Sequence, residues 1–227
     1  MGSAVVYVDR PAPENDRGAN LVLGHGAGRG SDSPDLVALA RQLPSRGITV
    51  VRVDQPWVVA GRKVAVRPET LDRAWIEVLS QLGSFVGPAG RLVIGGRSAG
   101  ARVACRTASD VGAGAVVAIA FPLWNPNRRA VGWPDVVPIG AAVRRAELVG
   151  ASVPRGRPVL VVQGTRDRYG SPSDFRGLRS DSIDVRSLPY ADHALRVPAR
   201  APVAPDEIQD LLVGYITGFV LGAASRG

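Results

Sequence analysis

Short apolar runs alternate along this chain with stretches in which apolar residues return every three or four positions. The runs cover residues 5–8, 20–24, 48–53, 91–95, 115–120, 159–163 and 183–188. Runs of this length, bounded by Gly, Pro, Asn or Asp, predict strands, and most are apolar on both alternations, as in strands buried on both faces. Between them, Ser33-Pro34-Asp35 offers a cap, a first-turn proline and an acidic first-turn residue ahead of Leu36, Leu39, Ala40 and Leu43 at helical spacing. Arg46-Gly47 ends that helix. Pro68-Glu69-Thr70 opens a second one, with Leu71, Ala74, Trp75, Val78 and Leu82 along one face and Gly83 or Gly87 closing it. Near the end of the chain Ile208, Leu211, Leu212, Tyr215, Ile216 and Phe219 form the stripe expected to dock a last helix on the sheet. Alternating strands and helices predict an α/β fold: a mostly parallel sheet of about seven strands with helices on both faces. Residues 11–18 read as a turn after an edge strand. With neither a linker nor an internal repeat, residues 1–227 are expected to form a single domain.

Candidate chemistry gathers where the predicted strands end. Gly96-Arg97-Ser98-Ala99-Gly100 follows the apolar run at 91–95 and opens a helix-like stretch, the strand–turn–helix setting of a nucleophile elbow. A serine nucleophile needs a base, a group that orients the base, and donors for a developing oxyanion. There are two histidines. His193 lies in the loop after the strand at 183–188, where a base delivered from a late loop belongs. Asp167 stands just past the strand at 159–163, in Gly164-Thr165-Arg166-Asp167, and is the expected orienter. Asp174, Asp192 and Asp54 are the alternatives, although Asp192, adjacent to His193, would face elsewhere. His25 sits in Gly24-His25-Gly26-Ala27-Gly28, a glycine-rich turn after the strand at 20–24, and reads as part of an oxyanion turn rather than a base. The backbone amides of Ala27 and Ala99 are the expected oxyanion donors. The chain order Ser98, Asp167, His193 is that of α/β-hydrolases and differs from the chymotrypsin and subtilisin orders.

These four segments resemble the small, capless α/β-hydrolases near the dienelactone hydrolases, in particular a bacterial branch related to testis-expressed hydrolase-like proteins. Arg52-Val53-Asp54-Gln55-Pro56-Trp57 and Phe121-Pro122-Leu123 look like the same branch, and the likeness spans residues 20–195. It implies an α/β-hydrolase fold without a large cap and serine hydrolase chemistry on an ester or related acyl substrate, with no cofactor. The chain departs from the branch at Ala99, where a bulkier residue is usual, and in the longer connection at 125–157. It departs from the dienelactone hydrolases in having serine where they use cysteine.

Composition narrows the remaining classes. The net charge is +8, carried by 27 arginines and the single lysine Lys63. They are spread along the chain without a dense block, as arginine-rich codon usage would produce, so neither nucleic acid nor a membrane is expected as partner. Arg128-Arg129 and Arg144-Arg145 are the local exceptions. They read as solvated helix surface or, less readily, as contacts to an anionic substrate. Cys105 is the only cysteine, which rules out an intrachain disulfide and a Cys-based zinc site; it is expected to be a buried helix residue. The start of the chain lacks the features of a signal peptide, and the apolar stretch at 211–224 is shorter than the ~20 residues of a membrane span, so a soluble cytoplasmic protein is expected. Trp57, Phe121, Trp124 and Trp133 fall after strand ends or in the long connection. They are candidates to line an acyl pocket or to pack in the core; His25 and Arg29 are further candidates for that pocket, and Arg29 and Arg97, beside the same turns, are placed for a carboxylate-bearing substrate, although a side chain at the Arg97 position of an elbow often points away. The competing functional class is a hydrolase-fold interaction or scaffold module without turnover.

Overall fold

The computed structural model describes residues 2–28, 30–62, 65–83, 92–126, 139–153 and 156–225. Seven strands form one sheet: β1 (Val5–Asp9), β2 (Ala19–Gly24), β3 (Ile48–Asp54), β4 (Leu92–Arg97), β5 (Ala115–Ile119), β6 (Val159–Gly164) and β7 (Ile183–Leu188). Their spatial order is β1-β3-β2-β4-β5-β6-β7. Only β1, at the edge, runs antiparallel to its neighbour, and every other pairing is parallel. β2, β5 and β6 are buried at every position. That is why they read as unbroken apolar runs, while β7 alternates buried and open positions. Arg91 and Gly87, named above as a strand start and a helix end, lie outside the described residues.

Crossover helices supply the cover on the two faces. α1 (Pro34–Gln42) and α6 (Pro205–Ala224) pack over Leu21, Leu23, Val50, Val93 and Val117. α3 (Pro68–Leu82), α4 (Ala99–Thr107) and α5 (Ile139–Ser152) cover the other face, over Val22, Val51, Ile94, Val116 and Val161. The short α2 (Pro56–Val59) follows β3. α1 gives way to a single 3-10 turn at Pro44–Arg46 before Gly47, whose φ of +83° is easily reached only without a side chain. α3 stops at Gly83.

The last helix sits rotated from its expected setting. Its fully buried line is Ile208, Leu212, Val213, Ile216 and Val220, while Leu211, Tyr215 and Phe219 are half-buried on the flank. The helix is apolar over more than one stripe, so spacing alone does not select the face that docks. Among the described residues no helix is long and apolar enough to cross a membrane.

Charge is also used inside the fold. Arg102 on α4 forks onto Glu147 of α5 at 2.6 and 2.7 Å, and Arg106 bridges Asp72 of α3 at 2.6 Å and Glu147 at 3.2 Å. Part of the arginine excess therefore ties three helices together. No large cap stands over the carboxyl ends of the strands among the described residues, and the described part of the long connection, α5, packs on α4 as a sheet-covering helix. Residues 127–138 lie outside the described residues.

Candidate active site

Ser98 occupies the turn between β4 and α4 with φ 53° and ψ −108°, a conformation that a non-glycine residue holds only when its surroundings enforce it. The enforcement is visible. The Ser98 N–H donates to Ile119 O of β5 at 2.9 Å, and α4 begins at the next residue. The flanking glycines admit the neighbouring backbone: a Cβ on Gly96 would lie 2.5 Å from Gly24 O, and one on Gly100 would overlap Gly24 O and stand 2.8 Å from His25 O. Gly100→Ala is accordingly expected to destabilise the fold by roughly 3 kcal/mol, since only backbone movement relieves the overlap. The midpoint of urea unfolding would show it, and a midpoint equal to wild type would contradict the close approach.

The elbow brings Ser98 to the late loop. Ser98 Oγ lies 2.9 Å from His193 Nε2, and His193 Nδ1 lies 2.8 Å from Asp167 Oδ2. A carboxylate only accepts, so the proton sits on Nδ1, leaving Nε2 free to accept from the serine hydroxyl. Asp167 is buried and fully paired. Its Oδ1 accepts the Tyr169 N–H at 2.8 Å, and its Oδ2 also accepts from Gln163 Nε2 at 2.9 Å. The Tyr169 ring lies over the His193 ring, centroids 4.2 Å apart. The alternative carboxylates are committed elsewhere. Asp192 accepts from Ala194 N and Arg196 N within its own loop, Asp174 accepts from Ser171 N, and Asp54 accepts from Ser31 N at 2.6 Å.

The turn after β2 is anchored from β3. Asp54 Oδ1 holds the Ser31 N–H and Arg52 Nη1 donates to Ser31 O at 3.0 Å. His25 is buried within this turn, its Nδ1 donating to Gly26 O at 2.8 Å and its Nε2 accepting the Gln55 N–H at 3.1 Å. With both ring nitrogens taken by backbone, His25 shapes the turn and offers no free nitrogen to a substrate. The Ala27 N–H, and the Ala99 N–H at the first position of α4, have no acceptor among the described residues.

The aromatic residues divide differently from the expectation of a pocket lining. Phe121 is fully buried, edge-on to Phe175 with centroids 6.4 Å apart. It is a core residue. Trp124 is buried and donates from Nε1 to Arg168 O at 3.0 Å. Trp57 packs against the His25 ring and borders a 240 Å³ cavity with Gln55, Val66 and Thr70. Arg29, Trp133, Arg128 and Arg129 lie outside the described residues. Arg144 is half-buried and donates to Pro122 O at 3.3 Å; burial, with Arg102 near it, lowers its pKa from the usual arginine value. Cys105 is buried in α4, and that burial pushes its thiol pKa upward. Among the described residues no three His, Cys, Asp or Glu side chains gather as a metal site.

Gln163 and Tyr169 were not foreseen as site residues. Gln163 did carry a signal: a polar residue closing a wholly apolar strand has to find buried partners, and it is fully buried.

With this architecture and site in view, the chain belongs to the alpha/beta hydrolase domain family, which matches it over residues 17–220. Solved structures share its fold at low identity. XC6422 from Xanthomonas campestris, described as an α/β serine hydrolase without a lid, is 20% identical with a TM-score of 0.65, over 98% of this chain and 88% of that one. Est1E from Butyrivibrio proteoclasticus is 15% identical with a TM-score of 0.70, over 98% and 95% of the two chains. A monoacylglycerol lipase from Paleococcus ferrophilus is 17% identical with a TM-score of 0.62, over 95% and 99%. No curated protein matches the sequence.

Proposed function

We propose that this protein is a serine hydrolase that cleaves an ester or related acyl substrate through Ser98, His193 and Asp167 and an acyl-enzyme intermediate. The observation that carries the proposal is the continuous relay from Ser98 Oγ through His193 to Asp167, with the serine held in a strained elbow. Ser98 Oγ attacks the acyl carbonyl as its proton passes to His193 Nε2, while Asp167 keeps the Nδ1 proton and orientation. The Ala27 and Ala99 amides receive the negative charge that develops on the carbonyl oxygen. Collapse breaks the bond to the leaving alkoxide, which takes the proton from His193. Water then attacks the acyl-enzyme with His193 again as base, releasing the acid and restoring Ser98. The serine hydrolase and lipase names among the fold neighbours favour an ester, and the family resemblance favours the capless branch related to testis-expressed hydrolase-like proteins.

Fluorophosphonate labelling tests the reading. Attack of Ser98 Oγ on phosphorus expels fluoride and leaves a mass adduct expected on Ser98 alone. Folded protein that takes no adduct would instead support the scaffold reading, in which nothing requires an activated serine.

A further inference from the structure

The side chain that precedes the nucleophile ties together the segments that must stay in register for the relay to work. Arg97, the last residue of β4, donates from Nη2 to the main-chain oxygen of His193 at 2.7 Å. Its Nε lies 3.0 Å from Asp35 Oδ2 in the first turn of α1, a close ionic contact in which the hydrogen is not aimed at the oxygen. The guanidinium also runs beside Gly26 of the oxyanion turn, where a Cβ would lie 3.4 Å from Nη1. Both charged side chains are largely buried, with 14% of Arg97 and 6% of Asp35 exposed. Tyr190 and Leu195, on either side of His193, have φ of 58° and 57°, so the loop holds an uncommon backbone path that needs outside support.

We infer that Arg97 is a positioning residue for His193, and that Asp35 in turn holds Arg97. The inference rests on the proposed triad. Arg97 does not touch the reacting atoms. Its Nη2 grips the loop at the base's own carbonyl, and its backbone continues directly into the nucleophile. One largely buried side chain, held at two points, thereby couples the position of the imidazole to the position of Ser98 Oγ. The planar fork allows this, since a guanidinium can meet a carbonyl and a carboxylate at once where an ammonium on a flexible stem is a single point charge. A substrate carboxylate has no call on Arg97 in this arrangement, because the buried Asp35 already neutralises it.

Arg97→Lys keeps a cation for Asp35 and removes the fork, and Arg97→Ala removes both contacts. For each, kcat and KM on a neutral short-chain ester and the rate of fluorophosphonate labelling would be measured on protein shown by circular dichroism to be folded. A displacement of the imidazole of order 1 Å predicts a loss of about 100-fold in kcat and in labelling rate, with KM changed by less than about twofold. Arg97→Ala leaves the Asp35 carboxylate buried without its cation and is the variant at risk of unfolding, so the lysine variant carries the test if it does. Guanidinium added to folded Arg97→Ala is expected to restore a measurable part of the labelling rate. It has a route in, because Arg97 and Asp35 border a 540 Å³ cavity with Leu195, Ile208 and Leu212. Rescue is a readout that a purely structural role would not give. Wild-type kcat and labelling in folded Arg97→Lys would overturn the inference, as would a change confined to KM. If wild-type protein is itself unlabelled at Ser98, the triad reading has failed; normal labelling in wild type and variants alike means that only the role of Arg97 has.

Discussion

Ser98→Ala is expected to lower ester turnover by roughly 10⁶-fold while leaving the fold intact. The two halves of that expectation come from different atoms. Turnover depends on Oγ, which stands 2.9 Å from His193 Nε2 and has no substitute, since His25 is closed off by the Gly26 and Gln55 backbone. The fold depends on the backbone at residue 98, whose N–H stays bonded to Ile119 O and whose φ of 53° strains alanine and serine alike. Stability should therefore change by no more than about 1.5 kcal/mol, the usual net worth of the one side-chain hydrogen bond lost, that of Oγ to His193 Nε2. Steady-state hydrolysis of an activated ester together with thermal unfolding would read both. Wild-type turnover in this variant would remove Ser98 from the mechanism. Unfolding would show that the elbow needs more from the hydroxyl than its contacts indicate.

Asp167→Asn is expected to cost about 10⁴-fold in kcat, the loss seen when the equivalent carboxylate of a serine triad becomes an amide. Here the geometry supplies a specific reason. Each contact to the carboxylate comes from a donor: Tyr169 N–H on Oδ1, and Gln163 Nε2 and His193 Nδ1 on Oδ2. An asparagine NH₂ at either oxygen position meets a donor. Placed toward His193 it forces the proton onto Nε2, where the imidazole can no longer accept from Ser98. Placed toward Tyr169 it leaves a buried N–H without an acceptor, at a cost of about 1–3 kcal/mol. Gln163 cannot relieve the conflict by turning over, because its Nε2 also donates to Gly170 O at 2.6 Å. Comparison of kcat across pH with the unfolding midpoint would separate the two placements, and a variant with wild-type kcat would show that Asp167 does not orient the base.

The elbow was legible because its demands are local. A strained serine at a strand end needs glycine where strand and helix backbones nearly touch, and Gly96 and Gly100 stand in the same few residues as Ser98. His193 was legible because the only other histidine falls in the turn after the first core strand. Asp167 was less so, since Asp54 and Asp192 also stand at or within four residues of a strand end and Asp174 follows in the same connection as Asp167. Only the hydrogen bonds each accepts set them apart. The aromatic residues were the least legible, as Phe121 shows: being near a strand end does not say whether a ring turns toward the mouth of the site or into the core.

The amino-acid sequence by itself determined the seven strands and their alternation with helices, the strained turn that carries Ser98, and the glycines that let it sit there, because each depends on neighbours within about one turn or one strand. The tertiary structure decided which face of α6 is buried, which carboxylate reaches His193, and what Arg97 and Gln163 hold. Those outcomes join residues far apart in the chain, such as Arg97 with His193 and Asp35, and no local pattern records a distance that only the packing of the sheet and its helices creates.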